Sequence, residues 1–222
     1  MKGPLTVALL GLVLAMSLVG CGPTAESYND EGMKAFLTLN YPRARAAFDQ
    51  AALLRPDVAG YRYNLAASYQ AMGDLDNALY HYNKAVSLNP GLFKAYANMA
   101  RCYEALGKKD MVVATYRRAC DTNPMSAVPY SNFAIWYLSQ GDKTNAEIWF
   151  RKAVATNPQD AQAHYLLGEF LMKNGQRDEG LRHYQKSREI QPLDPELAKT
   201  LGSGEPVPMT SAEVAGQGQG SK

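Results

Sequence analysis

Residues 59–92 read AGYRYNLAASYQAMGDLDNALYHYNKAVSLNPGL, and the stretches on either side repeat the same layout. Prolines mark the frame: Pro56, Pro90, Pro124, Pro158 and Pro192 each stand 34 residues from the next. Self-similarity at one fixed period is the mark of a repeat architecture. The frame divides the chain into five units, 25–58, 59–92, 93–126, 127–160 and 161–194. The eighth position of each is small: Gly32, Ala66, Ala100, Ala134, Gly168. The twenty-fourth is aromatic: Phe48, Tyr82, Tyr116, Phe150, Tyr184. The twenty-seventh is small again: Ala51, Ala85, Ala119, Ala153, Ser187.

Positions 4, 7, 8 and 11 fall on one side of a helix at 3.6 residues per turn. Small residues at 8 and 27 let two helices approach, and the aromatic fills the space between them. Gly73, Gly107, Gly141 and Gly175 supply the left-handed joint of a helix–turn–helix. The first unit has Leu39 at that place, and its turn is expected from Asn40-Tyr41-Pro42 instead. Proline closes each second helix. Val112 and Gly180 depart from a position that is otherwise small alanine, which an array tolerates in single units.

This pattern resembles the tetratricopeptide repeat over about 170 of the 222 residues. The resemblance implies an all-α solenoid of five helix–turn–helix units that binds proteins rather than catalysing a reaction. Asp194-Pro195 reads as the start of a short capping helix over 195–201, since an array must cover its last apolar face. Residues 202–222 are rich in Gly, Pro, Ser and Gln and are expected to be disordered.

The N-terminus has a different character. Lys2 is followed by an uncharged run, Gly3 to Gly20, dominated by Leu, Val and Ala, the layout of a secretory signal peptide over 1–20. The run ends Leu18-Val19-Gly20-Cys21, which resembles the lipobox of bacterial lipoproteins. That resemblance implies cleavage before Cys21, lipidation of its thiol and a short tether at 21–24. Several acyl chains give stable membrane anchoring where one would be marginal. Gly22, rather than Asp, implies by the same resemblance the periplasmic face of an outer membrane.

Composition and motifs point away from other classes. Lys+Arg minus Asp+Glu is 23 − 21 = +2, so nothing marks a nucleic-acid binder. No His-Glu-x-x-His, nucleophile elbow or phosphate loop occurs, and no cofactor or metal is expected. Cys102 and Cys120 fall on the two helices of the third unit and read as small buried residues. His81 and His183 share one repeat position and His164 takes a packing position; all three read as partly buried, aromatic-like groups.

The face made by positions 2, 6, 9 and 13 of each first helix points away from the packing face and should line a concave groove. Asn64, Asn98 and Asn132 recur there at position 6. They resemble the asparagine ladder with which some tetratricopeptide proteins grip an extended peptide, since a carboxamide offers both a donor and an acceptor. The same residues could equally bond within the array. Around them lie Gly60, Ala67, Ala71 and Tyr63 in the second unit and Lys94 and Arg101 in the third. Val128 and Ile135 follow in the fourth unit, and Tyr165, Glu169 and Lys173 in the fifth. The carboxylate clamp of chaperone-binding relatives also uses Lys, Asn and Arg, but here the basic pair sits on one helix and the first-unit Lys is missing. The expected function is a membrane-anchored scaffold holding a protein or extended peptide in this groove. Proteins of this build include pilotins and assembly lipoproteins of type IV and Tad-type pili and secretion systems, and adaptors for cell-wall hydrolases and proteases. A homo-oligomeric structural lipoprotein is the other reading.

Overall fold

The computed structural model describes residues 22–192. The signal peptide, Cys21, the capping helix and the tail read from the sequence lie outside the described residues.

The fold is all-α, with ten helices among the described residues. They pair as α1 (Ala25–Leu37) with α2 (Tyr41–Leu54) and α3 (Ala59–Ala71) with α4 (Leu75–Leu88), and α5 (Phe93–Ala105) and α6 (Lys109–Thr122) follow in chain order. Then come α7 (Ala127–Ser139) with α8 (Lys143–Thr156) and α9 (Ala161–Lys173) with α10 (Arg177–Ile190). First helices begin at 25, 59, 93, 127 and 161, so the period of the sequence is the period of the backbone.

Side-chain caps set many of the starts. Thr24 accepts from the Ser27 N–H, Asn40 from Arg43, Asp74 from Asn77, Asp142 from Asn145 and Asp160 from Ala163. Each occupies one of the donors that a helix start leaves unpaired. The turns use Gly73, Gly107, Gly141 and Gly175, with φ between 70° and 86°. The first unit keeps the same joint rather than a different one. Leu39 itself adopts φ 60°, Asn40 caps α2, and Pro42 lies in its opening turn. A leucine there carries about 1–2 kcal/mol of steric cost that glycine avoids.

The helices fall into two compact units, residues up to Lys108 and those from Lys109 onward. In the first unit α1 to α5 pack each on its sequence neighbour. Phe48 is buried against Ala35, Ala44, Ala52 and Leu65, and Tyr82 is fully buried with its ring 5.6 Å from that of Tyr63. A methyl group at Gly32 would sit 2.5 Å from the Phe48 ring, so that ring lies flat on the bare glycine. In the second unit Phe150 packs with Ala134, Ala146, Leu167, Phe170 and Leu171. Tyr116, Tyr130, Phe133, Trp136, Tyr137 and Trp149 form a chain of ring contacts, the tightest being Phe133–Trp149 at 4.5 Å. Val112 is fully buried despite its size. The last helix is the least embedded: α10 buries only Gly180 and Ser187, and Tyr184 is half-buried.

Candidate functional site

In the first unit the candidate face is built from α1, α3 and α5. Asn64 Nδ2 donates to Asn29 Oδ1 at 2.8 Å, which ties α3 to α1. Asn98 Nδ2 donates to the hydroxyls of Tyr63 and Tyr82, both at 3.1 Å, which ties α5 to α3 and α4. The Tyr82 hydroxyl in turn donates to Gln70 Oε1 at 2.7 Å. Burial drives both phenols above the ordinary tyrosine range, so they stay neutral donors near pH 7. The two amides are therefore cross-braces between neighbouring helices, and both are half-buried. Asn64 still has an oxygen and a second N–H to present to a ligand, whereas Asn98 has both N–H groups engaged and keeps only acceptor capacity on its oxygen.

Charge is segregated around this braced centre. On α5, Lys94 is exposed and rests over the Tyr63 ring at 4.6 Å, a cation–π contact. Exposed Arg101 reaches Asn98 Oδ1 at 3.4 Å. On α1, Glu26 and Asp30 are exposed. The Glu26 carboxyl is held below its ordinary range, first by a backbone hydrogen bond and then by the Thr24 hydroxyl, and it accepts from the Tyr61 hydroxyl at 3.4 Å. Between the acidic and basic helices, α3 offers Gly60, Ala67 and Ala71. Nothing lies within 4 Å of a Cβ built on Gly60, so that part of the floor is open. Met33 and Leu37 of α1 add exposed apolar surface at the acidic edge.

The structure thus gathers Tyr63, Lys94, Asn98 and Arg101 into one cluster and joins Asn64 back to α1. Asn29 and Tyr82 were missed as members from sequence. Asn29 stands at position 5, one place before the ladder register, and Tyr82 belongs to the second helix of its unit. No 34-residue recurrence links either to the ladder.

Asn132 stands on α7 in the second unit. It is half-buried and makes no side-chain hydrogen bond among the described residues. Val128 and Ile135, both more than 40% exposed, flank it at one-turn spacing. On α9, Tyr165 meets Tyr184 edge-on at 5.3 Å, and Glu169 pairs with Lys173. The second unit therefore presents an apolar step and a neutralised ion pair, where the first presents separated charges.

The remaining cysteines and histidines among the described residues lie inside the helix packing. Cys102 and Cys120 are free and buried, and burial pushes both thiols up to about 11. His81 stacks flat on Tyr69 at 5.4 Å and keeps Nδ1 buried without a partner, an aromatic-like role. His164 and His183 are more than packing groups, because their rings meet Nδ1 to Nδ1 at 2.9 Å. No group of three or more His, Cys, Asp or Glu among the described residues is placed to hold a metal ion. No helix among the described residues is long and apolar enough to cross a membrane.

Three models described as tetratricopeptide repeat match residues 59–92, 81–113 and 137–203. No protein of curated function matches the chain by sequence. Among solved structures, a MamA protein is similar at 22% identity and TM-score 0.50, over 84% of this chain and 100% of that one. TTC0263, a thermophilic protein of the same repeat type from Thermus thermophilus, is similar at 22% identity and TM-score 0.52, over 78% of this chain and 95% of that one. Pseudomonas aeruginosa pilF is similar at 15% identity and TM-score 0.52, over 77% of this chain and 78% of that one. At such identities the likeness is one of fold.

Proposed function

Because the chain belongs to the tetratricopeptide-repeat family, we propose that it is a protein-interaction scaffold that takes an extended peptide segment across α1, α3 and α5. The observation that carries this reading is the open floor of α3 between Glu26 and Asp30 on one side and Lys94 and Arg101 on the other. Such a face sets the direction of its ligand. The acidic end or carboxyl terminus of the segment lies at α5, and its basic end lies at α1. Asn64 meets the peptide backbone with its remaining N–H and its oxygen, and Asn98 with its oxygen alone. On the second unit, the apolar step of Val128 and Ile135, with Asn132, and the Tyr165 ring form a candidate contact surface of their own.

We also propose that the scaffold is lipid-anchored in the bacterial envelope through Cys21, at the periplasmic face of an outer membrane. Its service there is assembly of a pilus or secretion system. Leu18 to Cys21 support the anchor, and the system served is argued from that combination of anchor and repeats alone. Mass spectrometry of the mature chain should find it beginning at an acylated Cys21. A chain that starts later, or an unmodified thiol, refutes the anchor.

The groove is tested by a partner crosslinked in the native envelope and then measured with purified protein. Gly60→Trp starts from a Cβ with nothing within 4 Å, fills the open floor, and should weaken binding at least tenfold, ~1.4 kcal/mol, with an unchanged melting temperature. The pair Lys94→Glu and Arg101→Glu should do the same. Asn98→Ala should lower both affinity and stability, because its amide braces two tyrosines. If Gly60→Trp and the charge reversal both bind like the parent, the partner uses another surface.

A further inference from the structure

The His164–His183 contact joins the two helices of the last described pair, on the side of α10 that carries its buried residues, Gly180 and Ser187. His164 Nε2 faces the Pro158 carbonyl at 3.2 Å, and a carbonyl only accepts, so this nitrogen carries a hydrogen. In the neutral pair His164 Nδ1 is then bare and must accept from His183 Nδ1–H across the 2.9 Å gap. His183 Nε2 is left bare, 3.9 Å from Glu179 Oε1. A first added proton goes to that nitrogen, facing the carboxylate, and every hydrogen bond survives. A second has only His164 Nδ1 to occupy. Two N–H groups would then point at each other across 2.9 Å, and the bond between the helices is lost.

We propose that His164 and His183 form a proton-counting latch that holds α10 on α9 near neutral pH and releases it when the pair takes up its second proton. The latch adds to the close Gly168–Gly180 approach and the Tyr165–Tyr184 rings, which also join α10 to α9. α10 buries only Gly180 and Ser187, and the Arg151–Glu179 ion pair is its main charged tether to α8. The other groups facing the pair are Arg151 from α8, and Glu179 and Arg182 from α10. Burial first, and then His164, hold the His183 ring below the ordinary imidazole range; Arg151 and Arg182 push the same way and Glu179 opposes them. The folded His183 value lies below the unfolded one, so the pair resists proton uptake when folded, and the stability it gives is present above about pH 6.5 and falls as acidification loads the pair with protons. Glu179 does not discharge in that window, because hydrogen bonding from Arg151 holds its carboxyl below the ordinary range. Opening would separate Tyr165 from Tyr184 and bare Met172, converting a covered helix side into binding surface.

Hydrogen exchange of the full chain at pH 7.5 and 5.0, corrected for intrinsic rates, tests the latch. Protection of α10 should fall at least tenfold at pH 5.0 while that of α7 and α8 holds. The double variant His164→Phe, His183→Leu should lose this dependence. Ring nitrogen resonances of the parent give an independent reading: one imidazole should titrate while α10 is still protected, the other only as protection collapses. Equal α10 protection at the two pH values overturns the proposal. So does a double variant that keeps the drop, or two rings that both titrate with α10 closed.

Discussion

Phe150→Ala is expected to destabilise the second unit by about 3–5 kcal/mol, the cost of emptying a well-packed aromatic site. Phe150 is 2% exposed and is enclosed by Ala134 of α7, Ala146 of its own helix, and Leu167, Phe170 and Leu171 of α9. Its ring meets Phe170 at 5.4 Å. Three helices therefore lose a common filler: the alanines Ala134 and Ala146 are too short to reach into the gap, and Leu167, Phe170 and Leu171 are already packed on α9. Both tryptophans of the chain, Trp136 and Trp149, lie in this unit, so urea unfolding followed by tryptophan fluorescence reads it directly. Trp149 also rests 4.5 Å from Phe133, so loss of packing changes its surroundings at once. A shift in midpoint worth under about 1 kcal/mol would mean that Phe150 is not the filler its burial describes. Phe150→Leu keeps most of the volume and should cost clearly less.

The backbone was legible because its determinants are local and recur. Proline, turn glycine, small residue and aromatic each act within one unit, and a 34-residue period repeats the evidence five times. The turn of the first unit was misread because Leu39 is a poor left-handed residue by itself; the neighbouring cap and helix start hold it there. The site was legible as a face but not as a network. Periodicity places Asn64 and Asn98 outward, yet their partners, Asn29 and the Tyr82 hydroxyl, stand at other repeat positions and arrive through the tilt of one helix on the next. The same limit hid the histidine pair. His164 and His183 occupy different positions of the unit, and only the packing of α9 on α10 brings the rings together. A repeat consensus shows what recurs, whereas these contacts occur once.

Gly180→Val is expected to cost about 3 kcal/mol, at the upper end of overpacking effects, and to undo the last helix pair. Position 20 of the unit meets position 8, and the other units put Ala44, Ala78, Val112 and Ala146 there, all fully buried. In the fifth both partners are glycine, and the backbones come closer. A Cβ on Gly180 would stand 2.5 Å from Met172 Cγ, 2.9 Å from the Gly168 carbonyl oxygen and 3.0 Å from Met172 N. The methionine side chain can swing aside, but the two backbone atoms move only if α10 lifts off α9. Even Gly180→Ala should therefore destabilise, although alanine gains about 1 kcal/mol over glycine in an ordinary helix interior. The sign decides the matter: a stabilised alanine variant would show that the helices are not in backbone contact. The valine variant also bears on the histidines. With α10 lifted, the 2.9 Å span between His164 and His183 cannot be kept. Protection of α10 should then be low at pH 7.5 and change little on acidification, since the latch has nothing left to release.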